Sequence, residues 1–177
     1  MNSSTTLRES AVLVPVFRNA AGEATLVLVR RGSHGVHGGQ LAFPGGKRDP
    51  TDASLLATAL RETEEEIGLP ATAIEVLAAL PPVQTRTSGF HIAPFLGRIV
   101  PPPTWRFSQP KIAEVLEVPL RHLADSANAG QELWHFPGEP MPERISFWRV
   151  GTHHLWGASY RILLPLLPRL LAGEWDL

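Results

Sequence analysis

Cysteine is absent from the chain, so neither a disulfide framework nor a thiol nucleophile is available to it. Charge of one sign is scarce as well. Lysine and arginine number 16 against 17 aspartates and glutamates, which leaves no broad basic excess for a nucleic acid as main partner. No apolar run approaches the roughly 20 residues that a membrane-spanning helix needs. The most apolar stretch, Leu163 to Leu171, is interrupted by Pro165, Pro168 and Arg169. Ala11 to Phe17 is apolar but short, contains Pro15 and lacks a small-residue cleavage site, so it reads as a strand and not as a secretory signal. Internal repeats and linkers are missing too. The expectation is a cytoplasmic protein with no membrane and no nucleic acid among its partners. Residues 1–9 are expected as a flexible end and residues 10–177 as a single domain large enough to bury a core.

What is present alternates between strand and helix signals. AVLVPVF (11–17) and ATLVLVR (24–30) read as two strands joined by the turn residues Asn19 to Gly22. Residues 31–39 form a Gly- and His-rich loop, and Gln40 to Phe43 a short strand that leads into Phe43-Pro44-Gly45-Gly46. Strands are expected at 74–80, 91–100, 112–118 and 145–150, with Pro94 marking an edge or a bulge. A short helix is expected over 119–125, a hairpin near 133–136, and a C-terminal helix over 156–171 kinked near Pro165. Strands flanked by two principal helices imply an α/β fold with a mixed sheet.

The densest chemistry lies in residues 43–69, FPGGKRDPTDASLLATALRETEEEIGL. Leu56, Ala59, Leu60, Thr63 and Ile67 follow the spacing of a buried helical stripe. Asp52 is expected at the N-cap, Gly68 just past the C-terminal end, and Pro70 as the stop. Glu62, Glu65 and Glu66 stand at i, i+3 and i+4, so they crowd one side of the helix. They lie in its last two turns, where the helix dipole opposes negative charge. Clustered carboxylates there call for a counter-cation, and a hard divalent ion such as Mg²⁺ takes oxygen ligands, retains waters and accepts substrate phosphates. A bare Glu64-Glu65-Glu66 run is otherwise most simply a solvated face.

This stretch resembles the Nudix box: Gly, five residues, Glu, seven residues, Arg-Glu, apolar, any, Glu-Glu, any, Gly, apolar. Gly46 opens it and Arg61-Glu62-Thr63-Glu64-Glu65-Glu66-Ile67-Gly68-Leu69 closes it, with Thr63 at the apolar site. The opening half is one residue longer than the pattern. Counted forward from Gly46 the middle Glu falls on Asp52; counted back from Arg61 it falls on Ala53. The resemblance implies a Nudix-type α/β/α sandwich with a mixed β-sheet. It implies Mg²⁺ or Mn²⁺ held by Glu62, Glu65, Glu66 and the carbonyl of Gly46. Glu62 or Glu65 would take the proton of an attacking water, and Arg61 would hold a glutamate in place.

A second set of residues is similar to the coenzyme A pyrophosphatase branch of that superfamily: Leu26 to Arg31, Gly39, and Phe43 to Gly46, then residues 89–97, 114–120 and 155–158. The branch's second Arg falls on Gly35, and a Glu that often precedes Ile112 is replaced by Lys111. If that Glu is a ligand in relatives, Glu114, Glu117 or water would replace it here. The resemblance implies cleavage of the diphosphate of coenzyme A or its derivatives to 4′-phosphopantetheine and adenosine 3′,5′-bisphosphate. Arg30, Arg31, Gln40 and Lys47 are candidate substrate contacts, and Trp105, Trp134, Trp148 and Trp156 candidates to stack an adenine. The expected partner is a small nucleotide-derived diphosphate, and a homodimer stays open. Another diphosphate, such as ADP-ribose, a dinucleotide or a nucleoside triphosphate, is the nearest alternative; a non-catalytic nucleotide-binding domain is the alternative of another class. His34 with His37, and His153 with His154, have metal-like spacing but lack a partner cluster.

Overall fold

The computed structural model describes residues 8–33, 38–86 and 88–177. Residues 1–7, His34, Gly35 and His37 lie outside these, and with them the expectations placed there. Arg8 and Glu9, expected in a flexible end, instead open a strand.

Strand β1 (Arg8–Arg18) and β2 (Ala24–Arg31) form the antiparallel hairpin that their turn residues announce. Asn19 fixes the turn through its side-chain oxygen, which accepts the N–H groups of Ala21 and Glu23. Both strands are buried on both faces, which is why they read as continuous apolar runs. Successive side chains go to opposite sides. Val14, Val16, Leu26 and Leu28 join one core, while Leu13, Phe17, Val27 and Val29 join the other.

Around this hairpin lie β3 (Leu41–Ala42), β4 (Gly45–Lys47), β5 (Ile74–Ala79), β6 (Val83–Gln84), β7 (Phe90–Ile99) and β8 (Ile112–Pro119). Together they form an eight-stranded mixed sheet, with β7 parallel to β1 and the other pairs antiparallel. Helix α1 (Leu55–Ile67) covers one face, where Ile67 and Leu69 meet Leu13 and Val29. Helices α2 (Leu120–Ala124) and α3 (Gly157–Leu171) cover the other, through Leu120, Leu123, Leu163 and Leu166. This is the expected α/β/α sandwich.

Two features differ from expectation. Pro94 does not sit on an edge: β7 lies between β1 and β5. It falls where β5 gives way to β6, since Ala79 pairs with Phe95 and Val83 with Ile92. The ladder on that side is interrupted there, so a residue without an N–H is tolerated. Second, β9 (Ala129–Trp134), β10 (Glu143–Val150) and β11 (His153–Leu155) form a separate antiparallel sheet. It rests on the α3 side of the molecule through Trp148, Val150 and Leu155.

Candidate functional site

The site begins where β4 crosses β1. Phe43 is fully buried, and Pro44 accepts the N–H of Leu13 at 2.9 Å, which brings Gly45 and Gly46 tightly against β1. A Cβ on Gly45 would lie 2.3 Å from the carbonyl oxygen of Ala11, and one on Gly46 2.5 Å from the carboxyl carbon of Glu62. Only glycine lets this backbone run directly over a glutamate.

Helix α1 delivers that glutamate. Ser54, not Asp52, is its N-cap: the Ser54 hydroxyl accepts the N–H of Ala57 at 3.1 Å. Gly68 closes the helix in the left-handed conformation at φ 68°, donating to Glu64. The buried face is more polar than the expected stripe. Thr58, Ala59, Glu62, Thr63, Glu66 and Ile67 are buried, whereas Leu56 and Leu60 are only half-buried. Glu62 and Glu66, one turn apart, both point under β4. Glu66 accepts the N–H of Gly45 at 3.0 Å through Oε2. Its Oε1 is buried with no hydrogen-bond partner.

The ammonium of Lys111, just ahead of β8, stands beside both carboxylates. It lies 2.8 Å from Glu62 Oε2 and 3.4 Å from Glu66 Oε1. Burial pushes the Glu66 carboxyl above the ordinary range, against the Gly45 N–H and the charges of Lys111 and Arg31. For Lys111 burial acts to lower the pKa, but the carboxylates of Glu62 and Glu66 outweigh it and hold the ammonium above its ordinary value.

Arg61 organises the flank. Its guanidinium pairs with Asp52 through two parallel contacts, Nε–Oδ1 at 2.8 Å and Nη2–Oδ2 at 2.9 Å. It also reaches Glu62 at 3.1 Å, Glu65 at 3.0 Å and the carbonyl of Lys47 at 3.2 Å. Asp52 accepts in addition from Asp49 N–H and the Thr58 hydroxyl. The Arg61 hydrogen bonds hold the Asp52 carboxyl well below the usual carboxylate range. The extra residue in the opening half of the box is thus absorbed ahead of the helix, and Asp52 rather than exposed Ala53 stands in the supporting position.

Of the expected ligands, Glu62, Glu66 and Gly46 come together. Glu65 does not join them: its side chain is 53% exposed and turned to Arg61. Among the described residues no three Asp, Glu or His side chains converge on one point. A hard cation nevertheless fits. The donors are all oxygens, one buried carboxylate oxygen lacks a hydrogen-bond partner, and such an ion completes its shell with water and substrate. Glu114 and Glu117 are engaged elsewhere, with Arg30 at 3.1 Å and with the indole N–H of Trp105 at 2.8 Å. His154 stacks on Phe147 at 3.8 Å with Glu132 3.6 Å from its Nδ1, and His153 pairs opposite Val150 in the small sheet; among the described residues neither joins a group of three acidic or histidine side chains.

A cavity of about 560 Å³ opens beside β4. Of the candidate substrate contacts Arg31, Gln40 and Lys47 line it, beside Gly46; Arg30, paired with Glu114 across the β2–β8 ladder, does not. The far wall is Phe136, Trp156 and Tyr160, with Arg86, Arg144 and Arg161 among them, while Phe90 lies on the β4 side with the Lys47 ammonium 5.6 Å from its ring. Trp156 lies 5.8 Å from Trp134 and 6.3 Å from Phe136, whereas Trp148 is core, packed on Tyr160 at 4.4 Å. Arg86 bonds to Glu143 and Arg161 to the carbonyl of Gln84. Sequence reading missed these three arginines and Phe90, Phe136 and Tyr160. Two signals point toward them: block 89–97 contains Phe90, and block 155–158 runs up to Tyr160 and Arg161, while Arg86, Phe136 and Arg144 come from stretches with none.

Comparison with known proteins agrees with this geometry. The NUDIX domain family matches residues 7–132. The Nudix hydrolase NudL of Salmonella paratyphi B is 47% identical over 114 residues, which is 64% of this chain. The chain spans only 58% of that relative's length. In three dimensions the chain is similar to RenU, a Nudix hydrolase from M. smegmatis, with a TM-score of 0.65 at 18% identity over 96% of this chain and 89% of that one. It is also similar to the NUDIX domain of Shewanella oneidensis NrtR, solved with ADP ribose, with a TM-score of 0.53 at 20% identity over 68% and 77% of the two chains. At such identities the likeness speaks for the fold. Since the matched residues cover most of the chain and hold the glycine crossing, the capped helix and the converging glutamates alike, the protein belongs to the NUDIX domain family.

Proposed function

We propose that the chain hydrolyses the diphosphate linkage of a nucleotide-derived substrate, and that coenzyme A or a derivative is that substrate. The observation that carries this is the convergence of Glu62 and Glu66 beneath Gly45-Gly46 at the side of an aromatic-walled cavity. Divalent metal ions are general to the family, and Glu62, Glu66 and the Gly46 carbonyl are the groups that would hold Mg²⁺ or Mn²⁺ here. Such an ion neutralises phosphate oxygens and lowers the pKa of a water bound to it.

The rest is done by side chains of the chain. Arg31 and Lys47 face the cavity beside β4 and would pair with phosphate oxygens, and Gln40 would donate to them. A water oxygen bonds to phosphorus, the bridging P–O bond breaks, and the water's proton passes to a carboxylate. Glu62 already has Oε1 on Arg61 and would spend its other oxygen on the ion, whereas Glu65 is half-exposed and meets Arg61 through Oε1 alone. Glu65 is therefore the better proton acceptor. Phe90, Phe136 and Trp156 would shelter the nucleoside and exclude water. A cavity of this size accepts a drug-sized ligand. A cytosolic setting fits a chain without cysteine.

ADP-ribose is the second reading. NrtR, similar in fold, was solved with it, and the branch's second Arg is Gly35 here. Incubation with coenzyme A, ADP-ribose and a dinucleotide, each with Mg²⁺ and with Mn²⁺, decides. Release of adenosine 3′,5′-bisphosphate from coenzyme A is the expected result. Inert coenzyme A with rapidly cleaved ADP-ribose would transfer the assignment to the second reading.

A further inference from the structure

Lys111 has no role in the chemistry above, yet it makes the closest cationic contact to the Glu62–Glu66 pair. Its ammonium touches Glu62 at 2.8 Å and stands 3.4 Å from the buried Glu66 oxygen that has no hydrogen-bond partner. We infer that Lys111 is an internal counter-cation of the Glu62–Glu66 pair, which a divalent ion must displace, and that the displaced ammonium is taken up by substrate phosphate. This rests on the reading of Glu62 and Glu66 as metal ligands.

Three observations favour a displaceable tenant over a structural tie. The Lys111 side chain is 45% exposed, while those of Glu62 and Glu66 are 10% and 1% exposed. The ammonium therefore enters from the solvent side on a flexible stem, and its way out is open. The rigid tie of this helix is already Arg61, whose planar fork grips Asp52 twice; a lysine is a rotatable point charge. The ammonium also serves the two carboxylates unequally, so an ion between them would gain contacts that Lys111 does not make.

The backbone of Lys111 is fixed where its side chain is not. Its carbonyl accepts the N–H of Gly32 at 2.9 Å, and the Ile112 N–H bonds to Ser108 at 2.8 Å. This anchors Lys111 next to the end of β2, where Arg31 lines the cavity. An ammonium swung off the glutamates from that anchor stays beside Arg31, where the phosphates of a substrate would lie. Ion and substrate then bind with positive coupling, because each relieves a cost of admitting the other.

The test uses Mn²⁺ alone, read from the electron paramagnetic resonance signal of the free aqueous ion, so that it does not depend on turnover. Lys111→Met should bind Mn²⁺ more tightly by on the order of tenfold, the equivalent of one charge-assisted hydrogen bond no longer competed away. Lys111→Arg, which keeps the charge, should bind no more tightly than wild type. Adding methylenediphosphonate should tighten Mn²⁺ binding more in wild type than in Lys111→Met. Circular dichroism confirms that each variant is folded. Equal Mn²⁺ affinity in wild type and Lys111→Met would overturn the inference while leaving the hydrolase reading intact. No Mn²⁺ binding in any of them would overturn both.

Discussion

At the scale of single residues, the site turns on which glutamates face inward. A helix advances about 100° per residue, so Glu66 lies about 40° from Glu62 on one side and Glu65 about 60° on the other. The spacing that brings all three to one side also sends Glu65 to the solvent flank and Glu66 to the core. Expected consequences differ accordingly. Glu62→Gln and Glu66→Gln should each lower turnover by at least about 10²-fold, while the melting temperature of the metal-free Glu66→Gln protein holds or rises, because burial disfavours that carboxylate's charge. Turnover assays and thermal melts on the same samples check both halves.

Gly46→Ala would place a methyl into the Glu62 carboxyl. Weakened Mn²⁺ binding with an unchanged circular dichroism spectrum is the expected outcome. Asp52 gives the pH signature. Its folded pKa is depressed, chiefly by Arg61, so its contribution to stability is complete above its unfolded value of about 4 and is lost as the pH falls toward the folded one. Asp52→Asn should therefore lower the urea midpoint clearly near neutral pH, and the gap from wild type should narrow in acid.

At the scale of elements, regular periodicity was readable and close backbone approach was not. The β1–β2 hairpin, α1, β8, α2 and α3 follow from apolar runs, turn residues and a helical stripe. The N-cap was misplaced because Asp52 and Ser54 are both good caps; Asp52 is drawn instead to Arg61, a partner nine residues away. Strand β4 reads in sequence as a turn, since Gly45-Gly46 has no side chain to announce pairing, and its partners Ala11 and Val12 lie more than thirty residues earlier. Pro94 misled for the same reason: only the neighbouring strands show that the ladder breaks beside it. Ser54→Ala should cost about 1 kcal/mol, seen as a lower urea midpoint with an unchanged m-value, and should leave turnover of the folded enzyme alone.

At the scale of the whole molecule, the cavity is assembled from β1, β2, β3, β4, β7, β10, α3 and the chain before β7 and before β10. The box could be read from one stretch of sequence, but the far wall could not. Trp156 enters it from just before α3 and Phe136 from the connection between β9 and β10, so their meeting is a property of the fold. Trp156→Ala should raise KM about tenfold for a substrate carrying an adenine, on the scale of a lost base–aromatic stack, and change kcat less. Steady-state kinetics on coenzyme A and on ADP-ribose would show it.

The sheet of β9, β10 and β11 is hydrogen-bonded to itself and not to the eight strands that carry Gly45 and Gly46. Most of it, with all of α3, follows the residues that match the family. Part of the cavity wall is thereby carried by strands that do not pair with those bearing Gly45 and Gly46, although both sheets share one core through Trp148, Val150 and Leu155. If a diphosphate is cleaved beneath Gly45 and Gly46 as proposed, substitutions at Phe136, Arg144 or Trp156 would change which molecule fits while leaving Glu62 and Glu66 in place.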